Sequence, residues 1–566
     1  MTPHVPRRAR IISASLLIGI GTLLVWNLCA TAWVSPAPSL TFNDITTAAG
    51  IKFTHFTGGF GKKYLPETMG SGCAFFDFDG DGWADILLLN GSDLALPKRR
   101  ATTSALYRNN RNGTFTDITR AAGLALDMYA MGATFGDYDN DGDDDLYVSC
   151  LGPDRLFQNQ GKGVFKEVTA AAGLGCSAFG ASAAWLDYDR DGWLDLYVTN
   201  YVEWTAATDI YCTLDGKTKS YCTPESYKGV SGRLYRNLKG SRFEDTTRKA
   251  GLYLPSQKGL GVCVTDVDLD GWPDIVVAND TEPNNLFLNQ KNGSFKDIGV
   301  SSGIAFSEEG VARGAMGIDA ADYDLSGRPS LIIGNFSNQM LALYHNEGKA
   351  FFIDEAPVSE IGHRSLLTLA FGCFFFDYDL DGWIDIFVAN GHVENEINQV
   401  QSKVTYAQPT HLFRNLGQKQ FRQVTAAVGS GLQKPYVGRG AAYADFDHDG
   451  DLDVLMTTNG GMAHLFRNDG GNQSRFVRIR LRGSRSNRNG YGTRMQLSAG
   501  GRTQTAFAQS GHSYLSQSES VQTFGLGSLT RADKLRLVWP SGTVQELGPL
   551  ESGQEYLIDE SKGIVP

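Results

Sequence analysis

The chain has 566 residues, 42% hydrophobic and 20% charged, with a formal net charge of −11. That composition carries a sizeable core and excludes an intrinsically disordered chain; the acidic balance argues against a nucleic-acid binder, which needs a basic patch. Glycine is abundant (66) and proline is not (18), which favours short strands and tight turns over low-complexity sequence.

In chain order, the first element is an export signal. Arg7, Arg8 and Arg10 precede the uncharged apolar run Ile11–Trp26, and no charged residue follows until Asp44. Ala30-Thr31-Ala32 resembles a cleavage site. The run is long for a cleaved signal and close to the lower limit of a membrane span, so residues 1–34 read as a signal peptide or an uncleaved anchor. Cys29 after Leu28 matches a lipoprotein box poorly. The mature chain is expected outside the cytoplasm: secreted, periplasmic or anchored at its N-terminus.

An internal repeat follows. One acidic motif occurs seven times, at Asp77–Asp85, Asp137–Asp145, Asp187–Asp195, Asp266–Asp274, Asp322–Ser330, Asp377–Asp385 and Asp445–Asp453. Each copy is preceded by a short Gly/Ala/aromatic stretch and followed by an apolar run such as Ile275-Val-Val277. Both read as strands, being short and rich in β-branched or aromatic residues. A Leu-[Phe/Tyr]-x-Asn element and then a Phe-x-[Asp/Glu]-x-Thr-x-x-Ala-Gly element complete each unit, as at Leu106 and Phe115. Four strands repeated seven times predict an all-β, seven-bladed propeller over residues 35–471. The segment Phe42–Gly50 has the fourth-strand pattern with no earlier strands before it, so it is expected to complete the seventh blade and close the ring.

An Asp-x-Asp-x-Asp-Gly-x-x-Asp loop offers oxygen ligands at positions 1, 3, 5 and 9 and a backbone carbonyl at 7. Calcium takes six to eight such oxygens. The expected ligands are Asp77, Asp79, Asp81, Trp83 and Asp85 in the first loop, and Asp137, Asp139, Asp141, Asp143 and Asp145 in the second. The third supplies Asp187, Asp189, Asp191, Trp193 and Asp195, and the fourth Asp266, Asp268, Asp270, Trp272 and Asp274. The sixth supplies Asp377, Asp379, Asp381, Trp383 and Asp385, and the seventh Asp445, Asp447, Asp449, Asp451 and Asp453. The fifth keeps Asp322 and Asp324 but has Ser326 and Ser330 at positions 5 and 9, so its site is expected to be weak or empty. An EF-hand is excluded because position 12 of the first loop is Leu88, inside a strand, where that motif needs a bidentate Glu. About six structural calcium ions are therefore expected.

The connections between second and third strands lie on the face opposite these loops. Three are long: 15 residues (Gly91–Ala105), 33 (Tyr201–Arg233) and 21 (Gly391–His411). Unequal insertions on one face of a propeller mark a surface for a protein or glycan partner. The candidates are Tyr201, Glu203, Trp204, Tyr211, Tyr221, Tyr227, His392, Glu394 and Glu396, against the plainer reading that they pack the loops down. His392, Glu394, Glu396 and His411 also form a candidate metal or acid–base cluster, though His-x-Glu-x-Glu is no familiar catalytic spacing. Cys212 and Cys222 share the longest loop and are expected to form a disulfide. Cys73, Cys263 and Cys373 recur just before acidic loops and read as small buried packing residues.

From about Asn472 the pattern changes. Phe476–Arg482 alternates as a strand with a basic face, and Ser486–Gly492, Phe524–Gly527 and Val538–Gly542 follow. The repeats resemble the FG-GAP/VCBS repeats of integrin α-subunit propellers, and with these C-terminal motifs nearly the whole chain resembles the cartilage acidic protein family, in which such a propeller is joined to an ASPIC/UnbV module. The resemblance implies a small β domain at 472–566. Arg478, Arg480 and Arg482 there would read an anionic surface, face solvent or dock against the acidic propeller. Together these readings give an exported, calcium-stabilised, non-catalytic binding or adhesion protein. The alternatives are an extracytoplasmic enzyme with its site at the top of the propeller axis, carbohydrate-active or cofactor-using, and a purely structural envelope component.

Overall fold

The computed structural model describes residues 40–565; the signal or anchor at 1–34 lies outside them. The described residues are almost entirely β and belong to one compact unit. Six acidic motifs sit between the first two strands of antiparallel sets that run in sequence order, such as Cys73–Phe76, Asp85–Leu88, Ala105–Asn109 and Phe115–Asp117. The seventh set, Gly438–Ala444, Asp453–Thr458 and His464–Asp469, takes its fourth strand from Thr41–Asp44, antiparallel to His464–Asp469. The second and third sets are further joined where Ser177–Phe179 pairs with Leu151–Pro153. This is a propeller-like arrangement, with apolar residues of neighbouring sets packed face to face: Ala74, Phe76 and Leu87 of the first meet Phe135, Leu146 and Val148 of the second in one core.

The Asn that ends each third strand explains how the sets are held together. Its side-chain Nδ2 donates to the position-2 carbonyl of the preceding acidic loop: Asn159 to Phe78, Asn237 to Tyr138 and Asn415 to Tyr323, each at 2.8 Å, and Asn289 to Tyr188 and Asn346 to Val267 at 2.9 Å. Asn468 reaches Tyr378 in the same way, and Asn109 of the first set reaches Phe446 of the seventh, both at 2.8 Å. Each Nδ2 also bonds the position-8 carbonyl of its own loop, as Asn237 does with Leu194 at 2.8 Å. All seven Asn side chains are buried. A motif letter that sequence alone reads as a turn residue is thus an inter-sheet tie.

A second feature joins the C-terminal module to the sheets. Its strands begin at Arg475–Arg482, which pairs in parallel with Gln554–Asp559. Residues 509–519 of this module enter between the first strands of the sheets and are buried along nearly their whole length. Ser513 exchanges backbone hydrogen bonds with Ile318, and Gln517 bonds Cys73 and Phe75. Ser510 Oγ contacts the Trp185 backbone, Leu515 N–H donates to Ser182 Oγ, and Tyr443 N–H donates to Ser518 Oγ. The inner strands are correspondingly small: a Cβ on Gly72 would lie 1.7 Å from the Leu515 carbonyl oxygen.

Removing one Asn side chain leaves two buried carbonyls without donors, at roughly 1–3 kcal/mol each. Asn237→Ala is expected to lower stability by about 2–6 kcal/mol, read as a lower urea midpoint. An unchanged midpoint would show that the tie carries no stability.

Candidate functional site

Each acidic loop is built by its own carboxylates. Gly82 at position 6 has φ 89°, a left-handed turn open to glycine, and so brings the loop back on itself. Asp77 at position 1 staples that turn, its two oxygens accepting the N–H groups of Asp81 at 2.9 Å and Gly82 at 2.8 Å. The position-5 carboxylates Asp81, Asp141, Asp191, Asp270, Asp381 and Asp449 each accept the N–H of the position-7 residue: Trp83, Asp143, Trp193, Trp272, Trp383 and Asp451. Asp85 at position 9 is buried and bridges outward, with Oδ1 accepting from Asn109 N–H at 2.7 Å and Oδ2 from Phe78 N–H at 3.3 Å.

Positions 1, 3 and 9 converge. In Asp77/Asp79/Asp85, Asp137/Asp139/Asp145, Asp187/Asp189/Asp195 and Asp266/Asp268/Asp274, one oxygen from each residue lies within 4.8 Å of the others, an arrangement able to hold a metal ion. The position-5 aspartates stand outside these triads; Asp81, for example, is paired by Arg111 at 2.6 Å. Among the described residues, Oδ1 of Asp79, Asp139, Asp189, Asp379 and Asp447, all at position 3, is buried with no hydrogen-bond donor. A buried carboxylate oxygen without a donor is costly, and an oxygen-only donor set with an orphaned anionic oxygen fits a hard cation. Burial, reinforced by neighbouring carboxylates, pushes Asp85 up to about 8, and Asp137 and Asp187 to about 7.

The fifth loop differs as its sequence implies. Ser330 offers only its hydroxyl to Asn346 N–H, at 3.1 Å. Asp324 meets His345 Nε2 at 2.8 Å, and Lys419 Nζ lies 2.7 Å from Glu355 and 3.1 Å from His345 Nδ1. Ser326 Oγ sits 3.4 Å from Arg328 N, and Asp322 keeps the turn staple to Gly327 N–H at 2.9 Å. His345 faces Asp324 here, where Arg108, Arg236 and Arg414 face the position-3 aspartates of other loops.

The C-terminal module covers the acidic-loop side. Asn489 accepts from Asp137 N–H at 2.9 Å and donates to Asp144 at 2.7 Å. Arg478 is buried between Glu519 at 2.8 Å and Asp445 at 3.5 Å. Arg480 pairs with Glu555 at 2.8 Å and lies 3.8 Å from Asp77, while Arg482 pairs with Asp559 at 2.8 Å within the module. Of the readings open to this basic strand, docking is the one Arg478 and Arg480 adopt.

On the opposite side the long loops fold together. Cys212 and Cys222 form the disulfide expected of them, and Cys73, Cys263 and Cys373 are buried free thiols. The nine surface candidates divide between the two readings, contact and loop packing. Glu203, Tyr211 and Glu396 are exposed, and Trp204 and Tyr221 are partly covered. Tyr201, Tyr227, His392 and Glu394 are buried because the loops close over them. Nor do His392 and His411 share a cluster: His411 meets Thr368 and Gln423, whereas His392 Nδ1 accepts Glu394 N–H at 3.0 Å. Burial, with Arg439 nearby, lowers His392 to about 4 and keeps it neutral. Glu394 is held by Lys63 Nζ and by Tyr221 N–H, both at 3.2 Å. These loops enclose a cavity of about 200 Å³ that His392 and Glu394 line together with Asp280. Sequence reasoning passed over Asp280, the buried segment 509–519 and the Asn ties. The one signal for the segment was the run of small residues on the inner strands.

Against known proteins, the FG-GAP-like repeat model matches residues 77–148, 149–198, 266–333 and 377–456, which include all seven acidic loops. The ASPIC and UnbV model matches 483–565. The chain is 25% identical over 292 residues to cartilage acidic protein 1 of Xenopus tropicalis, covering 50% of this chain and 42% of that one. It is 24% identical over 335 residues to the Homo sapiens protein of the same name, covering 54% and 48%. The chain thus spans less than half the length of the curated relatives it matches. Among solved structures, an Agrocybe aegerita protein described as recognising non-reducing terminal N-acetylglucosamine aligns with a TM-score of 0.37 at 16% identity, over 69% of this chain and 87% of that one. The fold and its loops define an FG-GAP-repeat protein with a C-terminal ASPIC/UnbV domain. In sequence the chain is similar to the cartilage acidic proteins.

Chelation is expected to lower the melting temperature of the full chain by several degrees, with calcium restoring it and magnesium, which demands a tighter octahedral shell, failing to. At a hundredfold excess over its dissociation constant, each ion contributes about 2.7 kcal/mol. In chelator the pH dependence has a definite sign. Asp85, Asp137 and Asp187 bind protons more tightly folded than unfolded, so stability falls as pH rises from about 4 towards 8. The chelated protein should melt higher at pH 6 than at pH 8. A melt indifferent to chelator would reduce these aspartates to turn residues.

Proposed function

We propose that this chain is an exported, non-catalytic recognition module: a closed, seven-bladed propeller over residues 35–471, pinned by about six calcium ions and capped on its calcium face by the module at 472–566. It binds a protein or glycan partner through the opposite, long-loop face. The observation that carries this reading is the division of the two faces. The acidic loops lie beneath Arg478, Arg480 and Asn489 of the C-terminal module, while among the described residues the unequal loops of the other side carry no module. The bond from Asn109 to Phe446 and the pairing of Thr41–Asp44 with the last set support a closed ring. The orphaned position-3 oxygens support calcium, and the Cys212–Cys222 disulfide supports an oxidising compartment. No helix of the described residues is long and apolar enough to cross a membrane.

The enzyme alternative called for acids and histidines facing one cavity. His392 and Glu394 do line one, but the His392 ring nitrogens face Glu394 N–H and Ser337 Oγ, and Glu394 is tied to Lys63 and Tyr221. Neither is placed to move a proton to a bound molecule. Exposed Tyr211, with Glu203 and Glu396, is the surface suited to contact.

Binding of the full chain to an immobilised panel of defined glycans and extracellular proteins tests this. A partner is expected whose affinity falls at least tenfold in the triple variant Glu203→Ala, Tyr211→Ala, Glu396→Ala and is unchanged by Lys534→Ala on the module. Binding that follows Lys534 instead, or no binding to any panel member, would overturn the reading.

A further inference from the structure

The cavity beneath the long loops holds one carboxylate oxygen with no partner. Its walls include Leu65, Met69, Leu260, Met316 and Phe371, all apolar. Leu214 and Val400 also line it and are about half exposed, 45% and 51%, which puts them at its mouth. Asp280 lines the wall and is 7% exposed. Its Oδ2 accepts the Tyr201 hydroxyl at 2.7 Å, while Oδ1 accepts no hydrogen bond among the described residues. The other acid of the cavity, Glu394, has both oxygens occupied. So a largely apolar chamber of about 200 Å³ offers a carboxyl with one oxygen free of any protein donor, and burial pushes that carboxyl up to about 7, so that it pairs with a hydroxyl as acceptor or as donor.

These features define a ligand. An apolar protein cavity of about 150 Å³ takes benzene, so this one has room for a six-membered ring with a small substituent. An unpaired carboxyl oxygen at the wall favours a ring that brings a hydroxyl and disfavours one that brings none, because a desolvated polar group left unmatched is costly. Tyr201 shows that this carboxylate already accepts one phenol. We propose that the cavity is a binding site for a small aromatic molecule carrying a hydrogen-bond donor of the phenol type, its ring against Leu260, Met316 and Phe371 and its donor on Asp280 Oδ1. The site deepens the reading of the long-loop face as the recognition surface by naming a ligand chemistry for it.

Titration calorimetry of the full chain with p-cresol and with toluene tests the site. The two probes share a shape and differ by the hydroxyl. We expect p-cresol to bind at least tenfold more tightly than toluene. Val400→Trp at the solvent-facing mouth should abolish binding of both, with the melting temperature unchanged. Asp280→Leu should remove the preference for p-cresol and leave toluene binding in place. Should Asp280→Leu fail to fold, the probe pair and Val400→Trp still decide. Equal affinity for the two probes, no binding of p-cresol, or binding untouched by Val400→Trp would each overturn the assignment. If p-cresol does not bind while the panel partner is still captured through Tyr211, the pocket fails alone; if p-cresol binds and no partner does, the loop-face partner fails alone.

Discussion

The structure depends on a relay of hydrogen bonds between Asn side chains and position-9 carboxylates. Asn159 donates its side-chain N–H to the Phe78 carbonyl and its backbone N–H to Asp145 Oδ1. Asp145 Oδ2 accepts Tyr138 N–H, and the Tyr138 carbonyl accepts the side chain of Asn237. The same steps recur through Asn289, Asn415 and Asn468, and Asn109 carries them from Phe446 back to Asp85. Every link is a buried polar group satisfied by another, so none can be removed without stranding its neighbour. The relay also couples two tasks: the carboxylate that would hold an ion also orients the tie between sheets. Ser330 is the exception, with one hydroxyl in place of two oxygens, and the fifth set is the one whose loop meets His345.

The axial segment 509–519 answers a second constraint. First strands packed against this segment leave backbone groups that need partners, and an apolar filling would leave them unpaired. A segment of Ser, Gln, Gly and His supplies donors and acceptors at each approach. Gln517 alone receives Thr134 Oγ1–H at 2.6 Å and Phe135 N–H at 3.0 Å through its side-chain oxygen. Small residues at Gly72, Gly317, Gly372 and Gly440 make the room it needs. This is why the module and the sheets belong to one compact unit even though the sequence changes character at Asn472. The module is held by its own interior segment as much as by the Arg478 ion pairs.

The division between what was legible and what was not follows from how far apart the cooperating residues lie. The acidic loops were legible because their chemistry sits within nine residues: the spacing of carboxylates and glycine states its own turn. The four-strand repeat and the role of Thr41–Asp44 were legible because each strand repeats a local pattern. The Cys212–Cys222 pairing was legible because one loop holds both. Residues 509–519 were not, since a Ser/Gln-rich run reads as solvent-exposed loop until the strands that bury it are known. Asp280 was not, because its partner Tyr201 is 79 residues away and its surroundings come from four separate loops and strand ends. The long loops were half legible: their length marks them as insertions, but length does not reveal that Tyr201, Tyr227, His392 and Glu394 turn inward.

That inward turn gives the long-loop side its character. A 33-residue excursion such as Tyr201–Arg233 costs conformational entropy unless it is tied down. Here the disulfide shortens its free span, Tyr221 reaches Glu67 at 3.1 Å, and Glu394 links it to the long connection inside the sixth set. The buried Arg439 adds a clamp, donating to the backbone carbonyls of Thr68, Gly391, Gly438 and His392. Its donors stitch the segment before the first set to the long connection inside the sixth, over the face of Phe371 at 4.0 Å. With the inner residues spent on holding the loops rigid, exposed positions such as Tyr211 are presented by a fixed frame. A contact surface built on such a frame loses little entropy on binding, and preorganisation of this kind is what converts modest contact area into affinity.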